Sequence, residues 1–257
     1  MRFYTINALA LVVFSLVLLI GFFGHIPLLL YLLFVLIWIL ITVIGSFQIK
    51  WNYHLDSLNH NYKTSENWVS ITFDDGPNPE FTPKILALLK QYNAKATFFL
   101  IGKNAEKYPE LVQQILNDGH TIGNHSFTHA SSFGIYSAEK IEAELTETNS
   151  LLKKLTGKDL KLFRPPFGVT NPNIKKALKN TGHFSIGWSK RSFDTTRLST
   201  AKIFKRITSR LKKGDIILLH DSSAKTVLVL EQLLLFLQLY KLHAVPVDRL
   251  LEIEAYA

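Results

Sequence analysis

The sequence predicts an α/β protein: a small parallel barrel of seven β/α units, preceded by an N-terminal pair of apolar helices. Three observations lead there. No Asp, Glu, Lys or Arg occurs in the 47 residues from Phe3 to Ile49. From residue 68 onward, short β-type runs alternate with longer helical segments to the end of the chain. The first β run ends in two adjacent carboxylates, Asp74 and Asp75, followed by the breaker Gly76-Pro77.

The charge-free run is more than twice the ~20 residues that a bilayer-spanning helix needs. Gly21, Gly24 and Pro27 interrupt its middle. The reading is two spans, about 5–23 and 27–48, so that 1–50 forms a transmembrane hairpin and the protein is a two-span membrane protein. A signal peptide followed by one anchor fits less well, because Gly21-Phe22-Phe23-Gly24-His25 lacks a small-x-small cleavage pattern. Arg2 and Lys50 flank the hairpin and its turn is uncharged, which favours cytoplasmic ends. With one span only, the following domain would face outward.

The polar, Asn-rich stretch 51–67 has no clear period and reads as a linker, leaving 68–257 as the catalytic domain. Strands are expected at 68–74, 95–101, 120–124, 161–164, 183–188, 214–220 and 243–247. Helices are expected between them at 81–92, 104–117, 137–156, 172–181, 199–212 and 225–241. Ile141, Leu145, Leu152 and Leu155 carry the helical spacing of the third, and Gly119, Gly157, Gly182 and Gly214 sit where helices should stop. Seven such units in about 190 residues suit one small barrel rather than two domains.

Composition narrows the chemistry. The chain has no cysteine, which removes disulfides, thiol catalysis and Cys-type zinc sites. Any metal must be held by His and carboxylates. The net charge is +9, and between Leu151 and Lys213 there are 17 Lys and Arg against only Asp159 and Asp194. That stretch is a solvated basic face or a patch for anionic lipid or an anionic polymer. No nucleic-acid-binding motif accompanies it, so nucleic acid is not expected.

The candidate site is assembled from strand ends. Asp74 and Asp75 close the first strand, at the edge where α/β folds gather catalytic groups. His125 and His129, four apart, can reach one metal from a helix or a tight loop. With one carboxylate of the Asp pair they make a two-His, one-carboxylate set, which leaves a position for water at zinc and can also hold iron. The second carboxylate would serve hydrolysis as a general base. Arg164-Pro165-Pro166-Phe167 ends the fourth strand. Arg164 can hold an Asp ionised, and two prolines leave the Phe167 N–H as the next free donor toward an oxyanion. Gly214 to Asp221 is an apolar strand ending in His220, well placed as a general acid.

These four motifs, Thr72-Phe73-Asp74-Asp75-Gly76-Pro77, His125-Ser126-x-x-His129, Arg164-Pro165-Pro166-Phe167 and Leu218-Leu219-His220-Asp221, resemble in order and spacing the polysaccharide deacetylase family, carbohydrate esterase family 4, with its NodB-homology domain. The resemblance covers about 68–250 and not the apolar hairpin. It implies a distorted (β/α)7 barrel and a divalent metal, most often zinc, held by Asp75, His125 and His129. Asp74 would be the base that deprotonates water on the metal, with Arg164 orienting it. Phe167, next to Pro166, would help stabilise the oxyanion, His220 would protonate the leaving amine, and Leu218 and Trp188 would shape the acetyl pocket. The expected reaction is hydrolysis of the acetamide of an N-acetylated sugar in peptidoglycan, a chitin-like chain or another polysaccharide. One motif departs. Where the family has an Asp that orients the acid His, this chain has Arg191; Asp194 matches a second Asp of the motif, and Thr195 replaces a Trp. Either Asp194 tunes His220 or Arg191 lowers its pKa by like-charge repulsion. Two other readings compete: a deacylase or deformylase of a lipid-linked sugar, and a non-catalytic carbohydrate-binding protein on the same fold.

Overall fold

The computed structural model describes residues 2–257. It begins with α1 (Arg2–Phe23) and α2 (Leu28–Phe47), two helices long and apolar enough to cross a membrane. Their side chains face outward almost everywhere rather than into the barrel core. Phe14 stacks on Phe34 at 5.3 Å, and the Trp38 indole donates to Asn7 at 2.9 Å.

The barrel follows. Its elements are β1 (Ser57–Leu58), β2 (Trp68–Asp74), α3 (Thr82–Gln91), β3 (Ala96–Leu100), α4 (Gly102–Lys107), α5 (Pro109–Asn117), β4 (Thr121–Asn124), α6 (Ala138–Thr156) and β5 (Leu162–Phe163). Then come α7 (Pro172–Thr181), β6 (Phe184–Ile186), β7 (Lys190–Arg191), α8 (Thr200–Thr208), β8 (Ile216–His220), α9 (Ala224–Leu239), β9 (His243–Ala244) and α10 (Val247–Leu251). The strand order is β1-β6-β5-β4-β3-β2-β8-β7, and the strand pairings are parallel throughout. Only Gly187-Trp188-Ser189 separates β6, which pairs with β5, from β7, which pairs with β8. The Ser189 N–H continues the ladder to the Ile216 carbonyl at 2.9 Å. This bend brings the sheet round from β5 and β6 to β7 and β8; β6 and β7 are joined by the chain and not by a ladder, so the seven strands from β2 to β8 form an incompletely closed, distorted barrel.

Alternation along β2 explains the layering. Val69, Ile71 and Phe73 join the outer core with Ile85 and Leu89 of α3 and Val229 and Leu233 of α9. Ser70, Thr72 and Asp74 occupy the opposite face and are equally buried. A second cluster contains Phe99, Leu162, Ile186, Trp188, Ile216 and Leu218. The polar face of β2 is tolerated because a fully buried cation, Arg164, fills the space it faces.

Several sequence expectations are corrected. Residues 51–67 are not a linker: Tyr53, His54, Leu55 and Ser57 are buried, and β1 pairs with β6. The strand expected at 243–247 survives only as β9, which adds to the start of β2 outside those seven strands, while Val247 opens α10. Its place in the barrel is taken by β7, two basic residues with no apolar pattern to betray them. The helix expected over 104–117 breaks between Tyr108 and Pro109, where proline cannot donate and disfavours helical geometry before it. The helix expected to reach 212 ends at Thr208, and Arg210 adopts φ 55°.

The hairpin is wedged into the barrel at its base. Ile49 is buried with Ile186 and Trp188, and the Ser46 carbonyl accepts from the Thr170 N–H at 2.8 Å. The Ser46 hydroxyl meets His54 Nε2 at 2.9 Å, and the Phe3 N–H donates to the Tyr53 carbonyl at 2.9 Å. Gly45 allows this approach, since a Cβ there would lie 2.6 Å from the Tyr53 ring.

Candidate active site

The carboxyl ends of β2, β4, β5, β7 and β8 converge on a cavity of about 370 Å³. Asp74, Asp75, His125, His129, Phe167, Trp188, Arg191, Leu218 and His220 line it, so nearly every candidate from the sequence arrives in one place. Pro166 and Asp194 are buried just behind.

Asp74 is 4% exposed and is bound through Oδ1 to Arg164 Nη1 at 2.8 Å. Four of its five N–H groups have acceptors: Nη1 also donates to Thr72 Oγ1 (2.7 Å), Nε to the Ile186 carbonyl (3.1 Å) and Nη2 to the Gly187 carbonyl (2.8 Å). Its flat face lies 4.2 Å from the Phe99 ring centre. Burial pulls Arg164 below its ordinary value and the charge of Asp74 pushes back. Asp74 Oδ2 is left facing His125 Nε2 at 3.9 Å.

Asp75 sits one residue on, at φ 76°, which turns its carboxylate away from Arg164 and toward the histidines. Its Oδ1 lies 3.4 Å from His125 Nε2 and 3.3 Å from His129 Nε2. The three ligand atoms lie within 4.8 Å of one another. His125 Nδ1 is 2.8 Å from the Arg164 carbonyl, which can only accept. Nδ1 therefore carries the proton, and Nε2 presents its lone pair beside Asp75. This donor set fits a divalent cation. Burial disfavours ionised Asp75, but whenever the imidazoles are protonated the hydrogen bond and charge of His125, then the charges of His220 and His129, hold it well below the carboxylate range. For His129, burial and then the charge of a protonated His125 push the pKa down, against Asp75 and Asp74, which favours the neutral imidazole that a ligand needs.

The histidines sit on a tight loop, not a helix: Ser126 (φ 65°) and His129 (φ 49°) are both left-handed. Glu144 of α6 anchors it, accepting from the Phe127 N–H (2.9 Å), the Thr128 N–H (2.7 Å) and the Thr128 hydroxyl (2.8 Å). Sequence reasoning missed Glu144. The signal was there, as an acid on the buried stripe of α6 beside Ile141, Leu145 and Thr148.

On the opposite wall, Asp194 reaches His220. Its Oδ1 accepts from His220 Nδ1 (2.8 Å) and the Ser192 hydroxyl (2.7 Å). Its Oδ2 accepts from the His220 N–H and the Thr226 hydroxyl, each at 2.8 Å. Burial works against protonated His220, but the hydrogen bond and charge of Asp194, with Asp74 and Asp75, push its pKa up to about 9. The alternative in which Arg191 lowers it is thereby overturned. Arg191 lies instead 5.4 Å from the Trp188 ring and 4.7 Å from the Phe193 ring.

Phe167 stands at φ 60°, so its N–H is released from the turn in which the Gly168 and Val169 N–H groups bond to the carbonyls of Pro165 and Pro166. Its half-exposed ring lies 4.6 Å from that of His129. Gly168 is required next to it, because φ is 72° and a Cβ would lie 2.4 Å from the Trp188 ring.

Fold and site together define a hydrolase of the barrel type, and comparison with known proteins agrees. A family model described as polysaccharide deacetylase matches residues 61–185. A peptidoglycan-N-acetylglucosamine deacetylase of Bacillus cereus is 38% identical over 175 residues, covering 66% of this chain and 81% of that protein. A chitooligosaccharide deacetylase of Azorhizobium caulinodans is 33% identical over 158 residues, covering 60% of this chain and 75% of that protein. The crystal structure of a peptidoglycan N-acetylglucosamine deacetylase in complex with 4-naphthalen-1-yl-N-oxidanyl-benzamide superimposes with a TM-score of 0.73 at 32% identity, over 78% of this chain and 94% of that one. The chain belongs to the polysaccharide deacetylase family, carbohydrate esterase family 4, and its peptidoglycan and chitooligosaccharide deacetylase relatives are hydrolases acting on carbon–nitrogen bonds other than peptide bonds.

Proposed function

We propose that this protein is a membrane-anchored, metal-dependent deacetylase of an N-acetylated carbohydrate. The observation that carries the reading is the division of labour around Arg164, whose side chain holds Asp74 and whose carbonyl orients His125. Asp75 Oδ1, His125 Nε2 and His129 Nε2 would hold a divalent cation, zinc by its preference for imidazole and carboxylate with no thiol present. When bound, that ion supplies Lewis acidity to the amide carbonyl and lowers the pKa of water.

The remaining steps belong to the chain. Asp74 Oδ2, the oxygen not engaged by Arg164, accepts the proton of the attacking water. The Phe167 N–H donates to the oxyanion as the carbonyl carbon becomes tetrahedral. His220, its Nδ1 committed to Asp194, delivers a proton from Nε2 to the amine as the carbon–nitrogen bond breaks. Trp188 and Leu218, 4% and 2% exposed, give the acetyl methyl an apolar seat. The two apolar helices, fastened to the barrel through Ser46, Ile49 and Tyr53, would anchor this cleft to a bilayer.

The test is acetate release by the full chain in detergent from N-acetylglucosamine oligomers and peptidoglycan, with and without chelator. Release that chelator stops and zinc restores supports the reading. Bound metal with no release from any N-acetylated sugar sinks it.

A further inference from the structure

The cleft contains a cation with no carboxylate of its own. Arg191 lines the cavity on β7, in register with Leu218. Unlike Arg164, its guanidinium makes no side-chain hydrogen bond or ion pair among the described residues. The nearby acids are committed elsewhere: Asp74 to Arg164, Asp75 to the histidines, Asp194 to His220. Burial and the charge of Arg206 press on it, with only Asp74 in partial relief. A half-buried, unneutralised guanidinium costs stability unless something else pairs with it. Stacked against two rings, it keeps its N–H groups for an oxyanion.

Arg191 does not stand alone. Arg206 donates from Nε to the Arg191 carbonyl at 2.9 Å and lies 4.3 Å from the Phe193 ring, so one phenyl ring meets two guanidiniums. At the hairpin base, the Lys50 ammonium donates to the Ser189 carbonyl, one residue from Trp188. Burial, then the charge of Lys190, pull Lys50 below its ordinary value, with Arg206 adding to this and Asp215 opposing. Asp215 is itself buried and occupied by Tyr62, Ser189, the Lys212 N–H and the Lys190 ammonium at 3.8 Å. Lys190 is thus paired with Asp215 and also donates to the carbonyls of Ser209 and Arg210, so the cations without an ion pair among the described residues are Lys50 at the end of the apolar hairpin, Arg206 beside Phe193, and Arg191 in the cleft. A single carboxylate on a sugar would meet only the last of these. A phosphate or diphosphate would span more.

We propose that the sugar deacetylated here carries a phosphate or diphosphate, whose oxygens are held by Arg191 and Arg206 on the side of the cleft that leads to the hairpin. The inference rests on the deacetylase reading for its sugar and adds the class of substituent. The phosphate could come from a lipid carrier or from a nucleotide; the shared chemistry is the phosphoryl oxyanion beside an N-acetyl sugar.

The experiment uses the full chain in detergent and two readouts. In turnover, polyprenyl-diphosphate N-acetylglucosamine and uridine-diphosphate N-acetylglucosamine are compared with neutral N-acetylchitotetraose and with N-acetylmuramic acid. The expected preference for a phosphorylated substrate is about tenfold or more in kcat/KM, the scale of a charge-assisted bidentate contact. Which of the two is preferred identifies the source. Arg191→Ala should collapse that preference, mainly through KM, and Arg191→Lys should recover part of it. In binding, glucosamine 1-phosphate, which has no acetyl group, should bind at least about tenfold more tightly than glucosamine, and increasing salt should weaken it. The proposal is overturned if neutral and phosphorylated substrates are used equally, if the carboxylated sugar is preferred, or if Arg191→Ala lowers all substrates alike with an unchanged melting temperature. Arg191-dependent phosphosugar binding without any turnover would refute the deacetylase and keep the subsite. Acetate release with no phosphosugar preference in either readout would do the reverse.

Discussion

Two buried carboxylates serve the cleft, Asp74 in its lining and Asp194 through His220, and they are used in opposite ways. Asp74 meets a permanent cation: Arg164 takes Oδ1 and leaves Oδ2 without a donor. Asp194 meets a titratable one, and both of its oxygens are consumed, by His220 twice, Ser192 and Thr226. The first arrangement leaves a carboxylate able to accept a proton. The second leaves none, and transfers its effect to His220, whose proton it stabilises. Residue type is the same at both positions. What differs is whether the partner can give up its proton and whether an oxygen is spare.

The sharpest way to break this comparison is at the spare oxygen. Asp74→Asn keeps the size and the Arg164 contact but removes the base, and kcat should fall by about a thousandfold, within the range attributed to general-base catalysis. Metal content, read by atomic spectroscopy, should stay near wild type. An active Asp74→Asn enzyme would reassign the base.

Next comes the saturated side. Asp194→Asn should lower kcat by about a hundredfold and move the descending limb of the pH–rate profile to lower pH. The sign follows from the raised pKa. Protonated His220 is favoured in the folded state, so its contribution to stability is full below its ordinary value of 6.5 and lost as pH rises through about 9. A bound divalent cation pushes the other way, so the holoenzyme limb should fall below about 9. An unshifted limb in Asp194→Asn would separate His220 from the profile.

A smaller effect is expected at the support of the metal side. Glu144→Gln weakens the acceptor for two backbone N–H groups of the His125–His129 loop. Metal affinity should drop about tenfold, as for other groups that position ligands, while kcat at saturating metal changes little. Metal titration followed by activity separates the two. The smallest effect is expected for Thr226→Val, which removes one of the donors to Asp194. It should cost about 1 kcal/mol of stability, visible by thermal melting.

The legibility of the molecule follows the same division. The β2 to β5 side is plain in sequence because Asp74-Asp75 and Arg164 each follow an apolar run and precede a breaker, Gly76-Pro77 and Pro165-Pro166, and His125 and His129 keep a four-residue spacing. The β7 side is not. Lys190-Arg191 has no apolar alternation, and it is a strand only because β8 offers it a ladder after the chain bends at Gly187-Trp188-Ser189. Asp194 was one of two candidates until its distance to His220 was known. The 51–67 stretch looked like a linker because its buried groups, Tyr53, His54 and Leu55, are packed by the hairpin and by α6 and α7 rather than by neighbours in sequence.

By itself the sequence determined what local patterns encode: the charge-free hairpin, the alternation of strand and helix, the strand-end position of Asp74, Asp75 and His220, and the four-residue spacing of His125 and His129. Those depend on hydropathy, period and turn chemistry, which act over a few residues. Only the tertiary structure decided which oxygen of Asp74 is free, which acid holds His220, and that the Arg191 guanidinium has no hydrogen-bond or ion-pair partner among the described residues. These are distances between side chains far apart in the chain, set by how the barrel closes, and no local pattern carries them.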